Sequence, residues 1–108
     1  MLPPKASDGE WGSVQEMDKY IVIVGDMIEI LSNGTIKATQ HRVVRTAWSR
    51  SSLIKFNGLD GDAVVQPLPQ WVGGEYGAEK YAPIAQGAHI DAEMAQGEEN
   101  LAEYSHPK

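Results

Sequence analysis

Five short runs of β-branched and apolar residues constrain the fold of this chain more than any other feature. They are "YIVIV" (20–24), "TIKAT" (35–39), "HRVVRT" (41–46), "SSLIKFN" (51–57) and "AVVQPLP" (63–69). Each has the composition of a strand, and the second and third indicate one extended segment bent at Gln40. Turns rich in Gly, Asn and Asp separate the runs. The order predicts a mainly β core of four or five strands.

The segment "GDMIEILSNG" (25–34) is ambiguous, because its apolar centre also fits a continuing strand. Its ends favour one or two helical turns. Asp26 is placed to cap the free backbone N–H groups, with Glu29 three residues later as the reciprocal partner of a capping box. Asn33 and Gly34 tolerate the left-handed conformation that ends a helix.

A helix is predicted in the tail, where residues 81–104 are rich in Ala, Glu and Gln. The apolar residues Ile90, Met94 and Leu101 recur at steps of four and seven, as on one helix face. Gly87 marks a start for this helix, and Gly97 predicts a break in it.

Length and composition place the chain among small single domains. It has 108 residues, no cysteine and a formal net charge of -6. We divide it into a loose lead-in (1–10), a β core (11–69) and a tail with the helix (70–108). The acidic balance argues against binding nucleic acid. No run approaches the roughly 20 apolar residues of a membrane span, and no signal peptide is evident, so we expect a cytoplasmic protein without membrane contact.

Three polar residues in "HRVVRTAWSRSS" (41–52) are the candidate site. His41 and Arg50 lie on either side of a short connection, and Arg50 and Ser52 share one side of an extended segment. A guanidinium grips a carboxylate through two hydrogen bonds, a hydroxyl adds a third, and an imidazole can hold a metal ion. From spacing alone, a structural histidine and a solvated arginine are the commoner interpretation.

The same region resembles the carboxy-terminal part of the iron(II)- and 2-oxoglutarate-dependent dioxygenases of the isopenicillin N synthase-like group. The resemblance covers residues 9–69. It rests on ordered motifs: "GEW", "YIVIVGD", "SNG", "ATQHRVV", the Arg50-x-Ser52 pair and "DAVVQPLP".

The resemblance implies a double-stranded β-helix, or jelly roll, which is only partial here, followed by a carboxy-terminal helix. It implies that His41 is one of three iron ligands, and that Arg50 and Ser52 bind 2-oxoglutarate. The cofactors implied are Fe(II) and 2-oxoglutarate, and the reaction is oxidative decarboxylation of 2-oxoglutarate coupled to oxidation of a small-molecule substrate. We assign no further catalytic residue.

The family's other two ligands form a His-x-Asp pair that precedes "GEW", where this sequence has only "MLPPKASD". A His-x-Asp occurs at His89 and Asp91, but on a helix positions i and i+2 diverge by about 200°, which is unsuited to joint chelation. We therefore predict little or no turnover by the isolated chain.

Three functions remain open from the sequence. The chain is part of an oxidoreductase, or a non-catalytic remnant that forms homo-oligomers through exposed strand edges, or a carboxylate-binding module that uses Arg50 and Ser52 without iron.

Overall fold

The computed structural model describes residues 10–14 and 18–105 of the chain, with side chains up to residue 100. The predicted lead-in over 1–10 therefore lies outside the described residues, apart from Glu10. In chain order the elements are α1 (Asp26–Leu31), β1 (Val64–Val65), 3-10 turns at Pro69–Trp71 and Gly74–Tyr76, β2 (Ile84–Ala85) and α2 (Gln86–Ser105).

The helix predicted after "YIVIV" is confirmed as α1, but its capping was predicted wrongly. Gly25 is the N-cap, and no side chain caps the first turn. Asp26 is instead the first helical residue, where a carboxylate is favoured by the helix dipole. The predicted left-handed end is confirmed, because Asn33 and Gly34 have φ of 51° and 77°.

The sheet is a two-stranded antiparallel pair, with Val64 opposite Ala85 and Val65 opposite Ile84. β1 confirms only the second and third residues of the strand predicted at 63–69. β2 is not predicted by the sequence pattern, because "YAPIA" (81–85) lies within the Ala-, Glu- and Gln-rich segment 81–104 that predicts the tail helix, whereas α2 begins only at Gln86. Two further bonds continue the pairing into α2: the N–H groups of Gln86 and Gly87 donate to the carbonyls of Ala63 and Gly61 at 2.8 Å.

The other predicted strands are absent from the described residues, and the jelly roll is therefore not formed there. Segments 20–24, 35–39, 41–46 and 51–57 have no ladder of backbone hydrogen bonds. Segments 35–39 and 20–24 are joined by one backbone hydrogen bond, which the N–H of Thr39 donates to the carbonyl of Val24 at 2.9 Å. A strand needs a partner for its backbone groups, and β-prone composition cannot provide one.

Helix α2 confirms the predicted tail helix and corrects the predicted break. It runs without interruption through Gly97, which has open space around it. A glycine costs a helix only about 1 kcal/mol relative to alanine, and good helix formers surround this one. The expected apolar face stays in solvent, since Ile90 and Met94 are both exposed.

The core is small for a chain of this length. In the described part of the chain, the buried hydrophobic residues are Ile30 (8% exposed) and Val65 (1%). Large apolar side chains such as Val22, Leu53 and Phe56 are almost fully exposed. The Cα radius of gyration is 16.8 Å, against about 13 Å for a compact domain of similar length. None of the described helices has the length and apolarity needed to cross a bilayer.

Candidate functional site

His41 lies on an exposed, irregular segment, and its ring is oriented by a local hydrogen bond. Nδ1 lies 2.8 Å from the backbone carbonyl oxygen of Thr39. Because a carbonyl only accepts, Nδ1 carries the proton in this bond, and in the neutral ring the lone pair then lies on Nε2. The geometry thus leaves Nε2 as the ring atom able to bind a metal ion. In metal sites the ligating histidine usually makes such a bond through its other nitrogen.

Arg50 and Ser52 are also exposed, and neither side chain has a hydrogen bond or ion pair to another described residue. The predicted strand pair that would have set them opposite His41 is not formed. At its expected turn, Thr46 Oγ1 donates to the carbonyl of Trp48 at 2.9 Å. No hydrogen bond joins His41 to Arg50 or Ser52 among the described residues, and their joint role stays a prediction.

Arg42 is the neighbour of His41, and its guanidinium carbon lies 4.2 Å from the ring centroid of Trp11. A guanidinium over an indole face is attracted by the negative face of the ring. This contact holds the exposed Trp11 ring against the residue next to His41.

A second group of polar side chains joins the two helices. Nε2 of His89 on α2 lies 2.5 Å from Oδ2 of Asp26 at the start of α1. Glu93 lies one turn after His89, and one ligand atom from each of the three residues falls within 4.8 Å of the other two. Asp91 takes no part in this group, in line with the divergence expected for positions i and i+2.

Glu29 forms the inner part of the same region. Its Oε2 accepts a 2.6 Å bond from the N–H of Ala38, and its Oε1 accepts a 3.2 Å bond from the Tyr81 hydroxyl. Glu29 therefore ties together three segments instead of completing a capping box. Burial raises the pKa of the Tyr81 phenol above its usual 10.0, and the Glu29 charge and hydrogen bond raise this pKa further.

Sequence reasoning missed this second group for a simple reason. Asp26 and His89 are 63 positions apart, and nothing local signals that α2 returns to α1. The spacing of His89 and Glu93 was the one available signal, because residues four apart on a helix share a face.

Comparison with known proteins identifies the class to which this chain belongs. The family model of the 2OG-Fe(II) oxygenase superfamily matches residues 4–58, a stretch that includes His41, Arg50 and Ser52. The chain belongs to the 2OG-Fe(II) oxygenase superfamily. It is thus of an oxidoreductase family for which Fe(II) and 2-oxoglutarate are the expected cofactors.

The relatives found by sequence comparison show which members of that family this chain is similar to. The chain is 45% identical over 67 residues to a 1-aminocyclopropane-1-carboxylate oxidase of Persea americana, covering 60% of this chain and 21% of the relative. It is 38% identical over 78 residues to 1-aminocyclopropane-1-carboxylate oxidase 3 of Cucumis melo, covering 70% and 24%. The chain spans about a fifth to a quarter of the length of these relatives. No solved structure matches it significantly.

The described residues supply a donor of the type that the family's iron binds, but they do not gather the full set of ligands around it. His41 offers an imidazole with a free Nε2, the donor that iron(II) accepts in sites of two histidines and a carboxylate. The group of three metal-ligand side chains found among the described residues does not include His41. A complete iron site around His41 therefore needs ligands beyond those that the described structure gathers there.

Proposed function

We propose that this chain is the carboxy-terminal part of an iron(II)- and 2-oxoglutarate-dependent oxidoreductase that acts on a small-molecule substrate. The observation that carries the proposal is the family match over residues 4–58, because it includes all three predicted site residues in the expected order. In the completed site, bound iron and 2-oxoglutarate supply the oxidising chemistry, and the protein binds and orients them.

The role proposed for His41 is metal ligation through Nε2. Its support is the Nδ1 hydrogen bond to the carbonyl of Thr39, which selects the tautomer whose Nε2 carries the lone pair in the neutral ring. Two other ligands come from outside this local segment. Since one imidazole gives weak and unselective binding, we propose that the chain alone has no dioxygenase turnover.

Arg50 and Ser52 are proposed to grip a carboxylate. The guanidinium of Arg50 has no carboxylate partner among the described residues, so both edges remain available for a bidentate contact. 2-Oxoglutarate carries two carboxylates, one for this grip and one for the metal side. The substrate named in the relatives, 1-aminocyclopropane-1-carboxylate, is also a carboxylate, and we include it as a second ligand for the same grip.

Magnetic resonance of the histidine rings tests the role of His41. Mn²⁺, a paramagnetic stand-in for Fe²⁺, is added to the 108-residue chain with and without 2-oxoglutarate. We expect the His41 ring signals to broaden more strongly when 2-oxoglutarate is present, and the increment to be lost in Arg50→Ala but kept in Arg45→Ala. Arg45 is the matched control, because it is an exposed arginine on the same segment. Broadening at His41 that is indifferent to Arg50 would contradict the shared site.

A second candidate function is that of a non-catalytic module that associates with itself, and the exposed apolar side chains favour it. Phe56 is 90% exposed, and Val22 and Leu53 are also largely in solvent. Exposed apolar side chains mark an interaction site or an aggregation site when they form a contiguous patch. Light scattering after size exclusion tests it: a defined dimer that Leu53→Ser dissociates, in a chain that binds no 2-oxoglutarate, would favour the module over the oxidoreductase.

A further inference from the structure

The contact between α1 and α2 gathers ligand atoms from three side chains. His89 and Glu93 lie four residues apart on α2 and therefore share a helix face. Asp26 approaches that face from the first turn of α1. One ligand atom from each of the three side chains lies within 4.8 Å of the other two, and His89 Nε2 lies 2.5 Å from Asp26 Oδ2.

The surroundings of these atoms are suited to a cation. An open cleft of about 480 Å³ is lined by Asp26, Glu29, Tyr81, His89 and Glu93 together with apolar residues, and its lining contains no lysine or arginine. The His89 side chain is 17% exposed and that of Asp26 is 55% exposed. The imidazole thus lies deeper than the Asp26 carboxylate, and Glu93, exposed beside it, has no ion-pair partner among the described residues.

We propose that Asp26, His89 and Glu93 form a binding site for a divalent first-row metal ion of the zinc type. One imidazole nitrogen and two carboxylate oxygens form a donor set that zinc accepts, with water completing the coordination. The site is separate from the iron site expected at His41. It assigns a structural task to the ion, which fixes α2 against α1.

Small movements of the three side chains would bring their ligand atoms to the distances found around a bound metal ion. Ligand atoms around a tetrahedral ion with bonds of about 2.0–2.1 Å lie about 3.3 Å apart. His89 Nε2 and Asp26 Oδ2, now 2.5 Å apart, must separate slightly, and any pair near the 4.8 Å limit of the group must close. Both carboxylates are exposed and can rotate, whereas the more buried imidazole can stay in place. The ion replaces the hydrogen bond between His89 and Asp26.

Zinc titration of the full 108-residue chain, first stripped with a chelator, tests the site by calorimetry. We expect one ion per chain, with binding weakened at least about tenfold in His89→Ala and in Glu93→Gln, since even loss of an outer-shell partner has about that effect. Asp91→Asn is the matched control, because it removes a carboxylate from the same helix outside the group. His41→Ala tests the alternative location, because zinc held by His41 would be lost in this variant. Asp91→Asn should bind zinc as the wild type does.

Far-ultraviolet circular dichroism keeps the test decisive if His89→Ala loosens α2. Glu93→Gln preserves size and helix propensity, so an unchanged helix signal with weakened zinc binding supports the site. Zinc should also raise the thermal midpoint of the wild type but not of Glu93→Gln. The proposal fails if the wild type binds no zinc at millimolar concentration, if Glu93→Gln binds it unchanged, or if His41→Ala is the variant that loses it.

Discussion

The side-chain oxygen of Asn33 accepts a 2.8 Å hydrogen bond from the backbone N–H of Lys80. The amide nitrogen of Asn33 donates to the carbonyl of Ala78 at 3.1 Å. Asn33 is completely buried and has a positive φ of 51°. This one side chain therefore joins the turn after α1 to the segment that leads into β2.

Asn33→Ala should destabilise this junction by about 2–3 kcal/mol, because it removes both hydrogen bonds of a fully buried side chain and puts a Cβ without local hydrogen bonding at a left-handed position. Hydrogen exchange of the Lys80 amide is the measurement. Asn33→Gly is the control, since it removes the same hydrogen bonds but relieves the backbone, and it should recover about 1 kcal/mol. Equal protection of Lys80 in Asn33→Ala and wild type would refute the role.

Tyr81 provides a pH dependence whose sign follows from its raised pKa. The folded state holds the phenol proton above pH 10.0, where the unfolded state releases it. The stabilisation from the neutral phenol is therefore full below pH 10 and is lost as the pH rises through the folded-state pKa. The measurement is an absorbance titration of phenolate in the wild type and in Tyr81→Phe. The difference between the two curves is the signal of Tyr81, and it should appear above pH 10. A difference signal complete at or below pH 10 would contradict the contact with Glu29.

The two glycines of α2 should respond in opposite directions to alanine. Gly97→Ala should raise the free energy of unfolding by about 1 kcal/mol, because alanine has the higher helix propensity and its Cβ would meet no other atom. At Gly87 a Cβ would lie 3.1 Å from the backbone oxygen of Gly61, whose hydrogen bond with the Gly87 N–H holds the start of the helix. Thermal unfolding followed by circular dichroism should show a higher midpoint for Gly97→Ala and a lower one for Gly87→Ala. A rise in both would show that the approach to Gly61 is unimportant.

Local signals account for the parts of this fold that the sequence predicts. α1, the left-handed turn at Asn33 and Gly34, and α2 are specified by residues near one another in the chain. The failed strands depend on partners distant in sequence, so "YIVIV" and "SSLIKFN" stay without ladders in the described structure. The same holds for the sites. Motif order predicts His41 and Arg50 as site residues, whereas the contact of Asp26 with His89 spans 63 positions and gives no local sequence signal.

The distribution of apolar side chains predicts which positions carry stability in the isolated chain. Val65→Ala should lower the free energy of unfolding by about 2 kcal/mol, because the Val65 side chain is fully buried. Leu53→Ala should change stability by less than about 0.5 kcal/mol, because its side chain is fully exposed. Hydrogen exchange at the Gln86 amide, which donates to Ala63 beside the sheet, reports both. A loss of protection in Leu53→Ala comparable to that in Val65→Ala would indicate that Leu53 is packed in solution.

Calorimetric titration of 2-oxoglutarate into the chain with Fe(II), under anaerobic conditions, tests most directly whether His41, Arg50 and Ser52 are part of an oxygenase site. We expect the wild type to bind 2-oxoglutarate weakly and Arg50→Ala not to bind it. Arg50→Lys should bind it more weakly than the wild type, because lysine cannot form the bidentate contact. In His41→Ala, the affinity for 2-oxoglutarate should no longer depend on iron. Arg45→Ala should bind as the wild type does. Binding that survives in Arg50→Ala, or no binding by the wild type, would show that these residues do not form the proposed site in this chain.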